Sequence, residues 1–121
     1  MPERRTGARF PISFPVRLRW KDENGVEITE EGLTENVGPN GVLLYMPRRL
    51  PLVGSKVQIT VTENPDEEVS VTAQVIRLER NAAHPQVALT LLDSIRIWKK
   101  KVWEAAGDTI AAQKPEEFDD W

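Results

Sequence analysis

Hydrophobic and polar residues alternate along most of the chain, and this pattern predicts a β-rich core. The clearest example lies between residues 12 and 21, where every second side chain is apolar: Ile12, Phe14, Val16, Leu18 and Trp20. A period of two is typical of a strand with one buried face. Pro15 lies within this segment and indicates a sheet edge or a bend. Asn24-Gly25 then predicts a tight hairpin with positive φ angles, from which the chain returns through Val26 and Ile28.

Four further strands are predicted, at residues 42–46, 56–62, 69–78 and 87–91. In the segment 69–78 the alternation slips in phase at Ile76, which indicates a β-bulge. The total is six short strands joined by short turns, a spacing typical of an antiparallel barrel or sandwich.

After the last strand the apolar period changes to three or four residues, which predicts a helix. The apolar positions are Ile95, Trp98, Val102, Ala106 and Ile110. Asp93 or Ser94 is expected to cap this helix, and Gly107 to weaken it towards its end. Trp98 and Trp103 are expected in the core or at the helix edge against the sheet.

The predicted organisation has four parts. Residues 1–11 form a flexible N-terminal arm, residues 12–92 the β-domain, residues 93–113 the helix, and residues 114–121 an acidic tail. A chain of 121 residues accommodates one such domain, with a core large enough to need no metal or disulfide.

Composition excludes several classes of function. Cysteine is absent, which removes disulfides, thiolate zinc sites and cysteine nucleophiles. The net charge of −3 argues against bulk binding to nucleic acid or to an anionic membrane. No apolar stretch is long enough for a membrane span or signal peptide, so we expect a cytoplasmic protein without membrane insertion.

Catalytic patterns are missing as well. The single histidine, His84, lies in a predicted turn without a serine or carboxylate partner nearby in sequence, and we interpret it as a solvated turn residue. No cluster has metal-ligand spacing, and neither a P-loop nor a dinucleotide-binding glycine motif is present. The sequence therefore predicts no enzyme, no catalytic or metal site and no cofactor.

Two segments have the chemistry of a ligand site. Arg4, Arg5 and Arg9 precede the first strand, and guanidinium groups bind phosphate oxygens and stack on bases. Residues 36–41 join two strands and combine the amide of Asn36 with a glycine-rich turn, where the backbone can approach a ligand closely. Taken alone, the first segment is better explained as a basic disordered tail and the second as an ordinary turn.

Together and in this order, the two segments resemble the signature of the PilZ domain, a bacterial receptor module for the second messenger cyclic di-GMP. That signature is an RxxxR motif ahead of the first strand, followed by [D/N]xSxxG. The matching residues are Arg5-Thr6-Gly7-Ala8-Arg9 and Asn36-Val37-Gly38-Pro39-Asn40-Gly41. The resemblance covers nearly the whole chain. It implies a mainly β fold, a six-stranded antiparallel PilZ-type barrel with a C-terminal α-helix.

The resemblance also implies a role for each motif residue. In PilZ domains the arginine motif wraps over the ligand and grips phosphate and guanine. Arg5 and Arg9 would have this role here, with Arg4 assisting. Asn36 would contact a guanine, and Gly41 would permit the turn.

Gly38 departs from the family pattern, because it stands where the motif has a serine whose hydroxyl bonds the ligand. Loss of one neutral hydrogen bond weakens binding by about two- to tenfold, so we expect retained binding. The resulting hypothesis is a cytoplasmic receptor or adaptor that binds cyclic di-GMP and a protein partner of unknown identity. The alternative is a degenerate PilZ domain that does not bind the nucleotide and acts as a protein-protein interaction module.

Two alternatives from other classes stay open. A small barrel that binds single-stranded nucleic acid would use exposed aromatic residues and a basic groove. One tyrosine, three phenylalanines and a negative net charge disfavour it, so no DNA or RNA partner is expected. The other alternative is a subunit of a larger assembly that binds no ligand.

Overall fold

The computed structural model describes residues 7–119, with side chains as far as Ala112. Its core consists of six antiparallel strands: β1 (Pro15–Lys21), β2 (Glu27–Val37), β3 (Gly41–Tyr45), β4 (Lys56–Val61), β5 (Val69–Glu79) and β6 (Gln86–Leu91). They close into a barrel in the order β1-β2-β3-β6-β5-β4. The predicted six-stranded antiparallel barrel is therefore confirmed.

The alternation in β1 follows from barrel closure. Val16, Leu18 and Trp20 point into the barrel and are at most 7% exposed. β1 pairs with β2 on one side and with β4 on the other, so it has no unpaired edge. Pro15 is the first residue of the strand, where a missing N–H is tolerated, and its carbonyl accepts a hydrogen bond from the Thr62 N–H at 2.9 Å.

The hairpin between β1 and β2 forms at the predicted place but with a different geometry. Gly25 has a positive φ of 81°, whereas Asn24 does not. The Asp22 N–H donates to the Val26 carbonyl, and the Asp22 carboxylate accepts from the N–H groups of Asn24 and Val26. Asp22 thus supplies the bonds that hold a three-residue loop, and only glycine needs the left-handed conformation.

Two bulges interrupt the barrel register. The one in β5 lies between Val75 and Arg77, which confirms the phase slip at Ile76. A second lies in β2 between Thr34 and Asn36 and was not predicted, because β2 does not alternate cleanly in sequence. This second bulge turns Glu35 and Asn36 together towards the outside of the barrel.

A C-terminal helix packs against one end of the barrel. It begins as a short segment α1 (Ile95–Trp98), continues through a π-helical turn π1 (Lys99–Trp103), and ends as α2 (Glu104–Asp119). Three of its residues are at most 1% exposed and belong to the barrel core: Trp98, Val102 and Ala106. The helical backbone continues beyond residue 113, where the sequence analysis ends it, while residues 120 and 121 of the predicted tail lie outside the described part.

Ser94, one of the two residues predicted to cap this helix, occupies the N-cap position, but its side chain makes no capping bond. Ser94 adopts a left-handed conformation with φ 53°. The Asp93 carboxylate instead accepts the Thr72 N–H at 3.0 Å, a bond that lowers the pKa of Asp93 below its ordinary value. Asp93 therefore ties β5 to the start of the helix, a contact between residues far apart in sequence.

No helix within residues 7–119 is both long and apolar enough to cross a membrane.

Candidate ligand-binding site

The end of the N-terminal arm lies directly against the loop that carries the second motif. Phe10 and Val37 form an isolated β-bridge, in which each backbone N–H donates to the carbonyl of the other at 2.9 Å. The neighbouring Arg9 is exposed, and its Cγ lies 3.6 Å from the position a Cβ would occupy on Gly38. The structure thus brings Arg9 and the second motif together. Arg4 and Arg5 lie outside the described residues.

The loop between β2 and β3 is a tight turn held by backbone hydrogen bonds. The Gly38 N–H donates to the Gly41 carbonyl at 2.9 Å, and the Leu91 N–H donates to the Asn40 carbonyl at 3.0 Å. Gly41 does not have a positive φ. A Cβ at Gly41 would lie 3.0 Å from the Leu89 carbonyl oxygen, so close packing against β6 explains this glycine.

Asn36 has an unsatisfied hydrogen-bond acceptor. It follows the β2 bulge and is the register partner of Leu43 on the outer wall of the barrel. Its amide oxygen Oδ1 is buried and has no hydrogen-bond partner among the described residues. Buried polar atoms are rarely left without a partner, and Asn36 as a whole is only half-buried, so rotation of its amide would bring this oxygen to a ligand that donates a hydrogen bond.

Two indole groups of the C-terminal helix hold the backbone on which the motifs lie. The buried Trp98 donates its Nε1–H to the Gly38 carbonyl at 2.9 Å, and the half-buried Trp103 donates to the Ala8 carbonyl at 2.8 Å. Both residues were predicted in or near the core, whereas these hydrogen bonds were not predicted. The available signal was chemical, because a buried indole N–H usually requires an acceptor.

Phe10 fills the space between the arm and the helix. Its ring centroid lies 5.9 Å from that of Trp103, and its edge lies 2.9 Å from the position a Cβ would occupy on Gly107. Gly107, expected only to weaken the helix, therefore allows Phe10 to approach the helix backbone. Phe10 is a structural residue of the site that the sequence analysis did not single out.

His84 contacts the strand that carries Asn36. Its Nε2 lies 2.8 Å from Oε2 of Glu35, and its ring stacks on Tyr45 with centroids 4.5 Å apart and planes 9° apart. These contacts hold the β5–β6 turn against the β2 bulge. His84 is therefore half-exposed but fixed, rather than freely solvated as the sequence suggested.

Two surface grooves, of about 380 and 500 Å³, lie at the opposite end of the barrel. The first is lined by the β1–β2 hairpin and by residues that precede β4, and the second by the outer faces of β1 and β4. Neither includes a motif residue.

Arg9 has no ion-pair partner among the described residues, which leaves its guanidinium available to an anion. Among the side chains described, up to Ala112, no group of three or more potential ligands could hold a metal ion.

Comparison with protein families gives a match over most of the chain: a model of the PilZ domain matches residues 3–97. A search of the curated proteins found no match.

Several solved structures share the fold. The PilZ domain of YcgR from Escherichia coli, determined with c-di-GMP, has a TM-score of 0.62 at 16% identity, over 91% of this chain and 98% of that one. The PilZ domain of CeSA from a cellulose-synthesizing bacterium has a TM-score of 0.56 at 22% identity, over 74% and 85% respectively. The MrkH–c-di-GMP complex of K. pneumonia has a TM-score of 0.64 at 13% identity. The match covers 55% of the MrkH chain, so this chain spans about half of its length.

Proposed function

Since this chain belongs to the PilZ domain family, we propose that it is a bacterial cytoplasmic receptor for cyclic di-GMP and has no catalytic centre. The observation that carries the proposal is the position of Arg9 against Gly38, two residues along the chain from Asn36 and its unpaired acceptor. The two solved structures determined with c-di-GMP, of the YcgR PilZ domain and of MrkH, support the class of ligand.

The proposed site binds the phosphates of the ligand through charged groups and a guanine through a neutral hydrogen bond. The Arg9 guanidinium, together with Arg5 and Arg4, binds the phosphates through charge-assisted bonds and stacks on a guanine. Asn36 Oδ1 accepts a hydrogen bond from a guanine N–H, which gives this buried oxygen the partner it lacks. Gly41 keeps the turn close to the barrel wall, so that the ligand can lie against the backbone.

Ligand binding is proposed to order the arm and thereby change the surface offered to a protein partner. Ala8 and Phe10 are already tied to Trp103 and Val37. These bonds fix the end of the arm at Ala8 and Phe10 before the ligand binds. The arginines close over the phosphates from a fixed starting point, which lowers the entropic cost of closure.

Calorimetric titration of the full chain with cyclic di-GMP tests the proposal. Arg9→Ala and Arg5→Ala should each weaken binding by roughly ten- to a hundredfold, because each removes a charge-assisted contact worth about 1.5–3 kcal/mol. Arg48→Ala is the matched control, since Arg48 is exposed on the connection after β3, at the other end of the barrel, and should leave the affinity unchanged.

One observation favours a second candidate, the degenerate interaction module: Gly38 lacks the serine hydroxyl of the family motif. That candidate is favoured if the unmodified chain gives no binding heat at ligand concentrations in the tens of micromolar. The binding free energy would then be weaker than about −6 kcal/mol. Equal affinities of the Arg9→Ala and Arg48→Ala variants would show that the arm does not hold the ligand.

A further inference from the structure

The exposed face of the C-terminal helix carries a row of four charged residues, which we call the charge stripe. Arg96, Lys100, Glu104 and Asp108 follow one another at intervals of four residues, and all four side chains are exposed. Residues four apart lie on the same face of a helix. The stripe therefore consists of two cations followed by two anions along one ridge.

The charge stripe lies opposite the face that packs on the barrel. The buried residues Trp98, Val102 and Ala106 are two positions out of phase with it, a rotation of about 200° at 100° per residue. The π turn also keeps the stripe straight. Four α-helical residues overshoot one turn by about 40°, whereas a π turn contains more residues per turn and rotates the stripe back.

No member of the charge stripe has an ion-pair partner within the described residues. The adjacent Lys101 differs, because it pairs with Glu67 of the β4–β5 turn and so holds the helix to the barrel. The four stripe charges are therefore not used for packing within the molecule.

The order of the charges is unfavourable for an isolated helix. Arg96 and Lys100 repel each other at a spacing of four residues, and so do Glu104 and Asp108, whereas Lys100 and Glu104 attract each other in the weaker orientation, with the cation first, so two of the three neighbouring pairs are repulsive. Arg96 also lies in the first turn, where the helix dipole disfavours a cation. The charge stripe thus reduces the stability of its own helix, which points to a role in a contact with another molecule.

We propose that the charge stripe joins two copies of this chain, with their C-terminal helices packed antiparallel across a two-fold axis. In such a contact residue i meets residue j, and j meets i. The axis passes the charge stripe at the level of residue 102, on the side of the helix opposite Val102. It brings Arg96 to Asp108 of the partner subunit and Lys100 to Glu104 of the partner subunit, because both pairs are symmetric about position 102. The charge order that repels within one helix then gives four ion pairs between two.

The charge complementarity of the stripe with itself is what identifies a second copy as the occupant. Ile97, 53% exposed, flanks the charge stripe and adds apolar area to the contact. Exposed ion pairs are individually weak, so the dimer should dissociate on dilution and be sensitive to salt. This inference does not depend on nucleotide binding.

Sedimentation velocity of the full chain, from micromolar to millimolar concentration, measures the predicted dimer. Raising the salt from about 0.1 M to about 1 M shortens the screening length from roughly 10 Å to 3 Å and should raise the dimer dissociation constant about tenfold or more. A chain that stays monomeric throughout this range, or a dimer indifferent to salt, overturns the proposal. This arm of the experiment needs no variant.

Two double variants test the pairing itself. R96E/K100E makes the stripe wholly anionic, and E104K/D108K makes it wholly cationic. Each variant alone should be monomeric, because its stripes repel each other. An equimolar mixture of the two should form a heterodimer at least as tight as the original dimer. K21E/K56E is the control for R96E/K100E, because it makes the same charge change on the exposed barrel wall, and it should still dimerise. Circular dichroism melts confirm that each variant is folded. If the folded double variants still dimerise alone, or do not associate when mixed, the proposed pairing is wrong.

Discussion

Gly38 is the residue at which the site departs from the PilZ motif, and its surroundings can accept a side chain. A Cβ there would lie 3.4 Å from the Gly41 carbonyl oxygen and 3.6 Å from Arg9 Cγ, both ordinary contact distances. The φ angle of Gly38 is not in the left-handed region that favours glycine. Nothing in the backbone therefore requires glycine, and the missing hydroxyl can be restored.

The Gly38→Ser variant should bind cyclic di-GMP about two- to tenfold more tightly than the unmodified chain, the gain from one neutral hydrogen bond of about 0.5–1.5 kcal/mol. Gly38→Ala is the matched control, because it adds the same Cβ without the hydroxyl and should leave the affinity unchanged. Calorimetric titration of both variants measures the difference. If serine and alanine weaken binding equally, the added Cβ itself is harmful, and either the alignment of the second motif is wrong or the loop geometry depends on glycine.

At the scale of elements, the C-terminal helix supports the site through two indole hydrogen bonds that differ in burial. Trp98 is fully buried where it donates to the Gly38 carbonyl, whereas Trp103 is half-buried where it donates to Ala8. A hydrogen bond lost in a buried place leaves its partner without water as a substitute. The helix should therefore depend more on the first contact than on the second.

The Trp98→Phe variant should lower the free energy of unfolding by about 1–3 kcal/mol, since it removes the indole donor and leaves a space in the core. Trp103→Phe makes the same chemical change at a wetter position and should cost about 0.5–1.5 kcal/mol. Urea denaturation of the two variants gives both values. A larger loss for Trp103→Phe than for Trp98→Phe would show that the arm, and not the loop, anchors the helix.

The elements differ in how much of them the sequence could predict. The strands and the bulge at Ile76 follow from a period of two, because burial of alternate residues is a local property of each strand. The helix begins at Ile95 after the N-cap Ser94, close to where the sequence places its start. The role of Asp93 was not predicted, since its carboxylate bonds Thr72, a residue 21 positions away that no local rule identifies. Arg9 and residues 36–41 were found from motif spacing, but the contacts of Phe10, Trp98 and Trp103 that position them depend on how the helix packs on the barrel.

At the scale of the whole molecule, the barrel separates its two ends. The arm, the second motif and the helix meet where β2 ends and β3 begins, while the two grooves surround the β1–β2 hairpin at the other end. All six strands share one core, so the barrel should unfold as one cooperative unit. A substitution that disturbs strand packing far from the site is therefore expected to act on global stability.

Gly32 offers such a substitution. It lies in β2 opposite Val16, where a Cβ would overlap the Tyr45 carbonyl and lie only 2.5 Å from the Met46 sulfur. Because backbone cannot move aside as a flexible side chain can, Gly32→Ala should lower the free energy of unfolding by about 1–3 kcal/mol or more, in a single transition measured by chemical denaturation. Gly7→Ala, where a Cβ meets no atom within 4 Å, should change it little. An unchanged midpoint for Gly32→Ala would mean that β2 and β3 are not packed as closely as the closed barrel requires, and a second transition would mean that the barrel does not unfold as one unit.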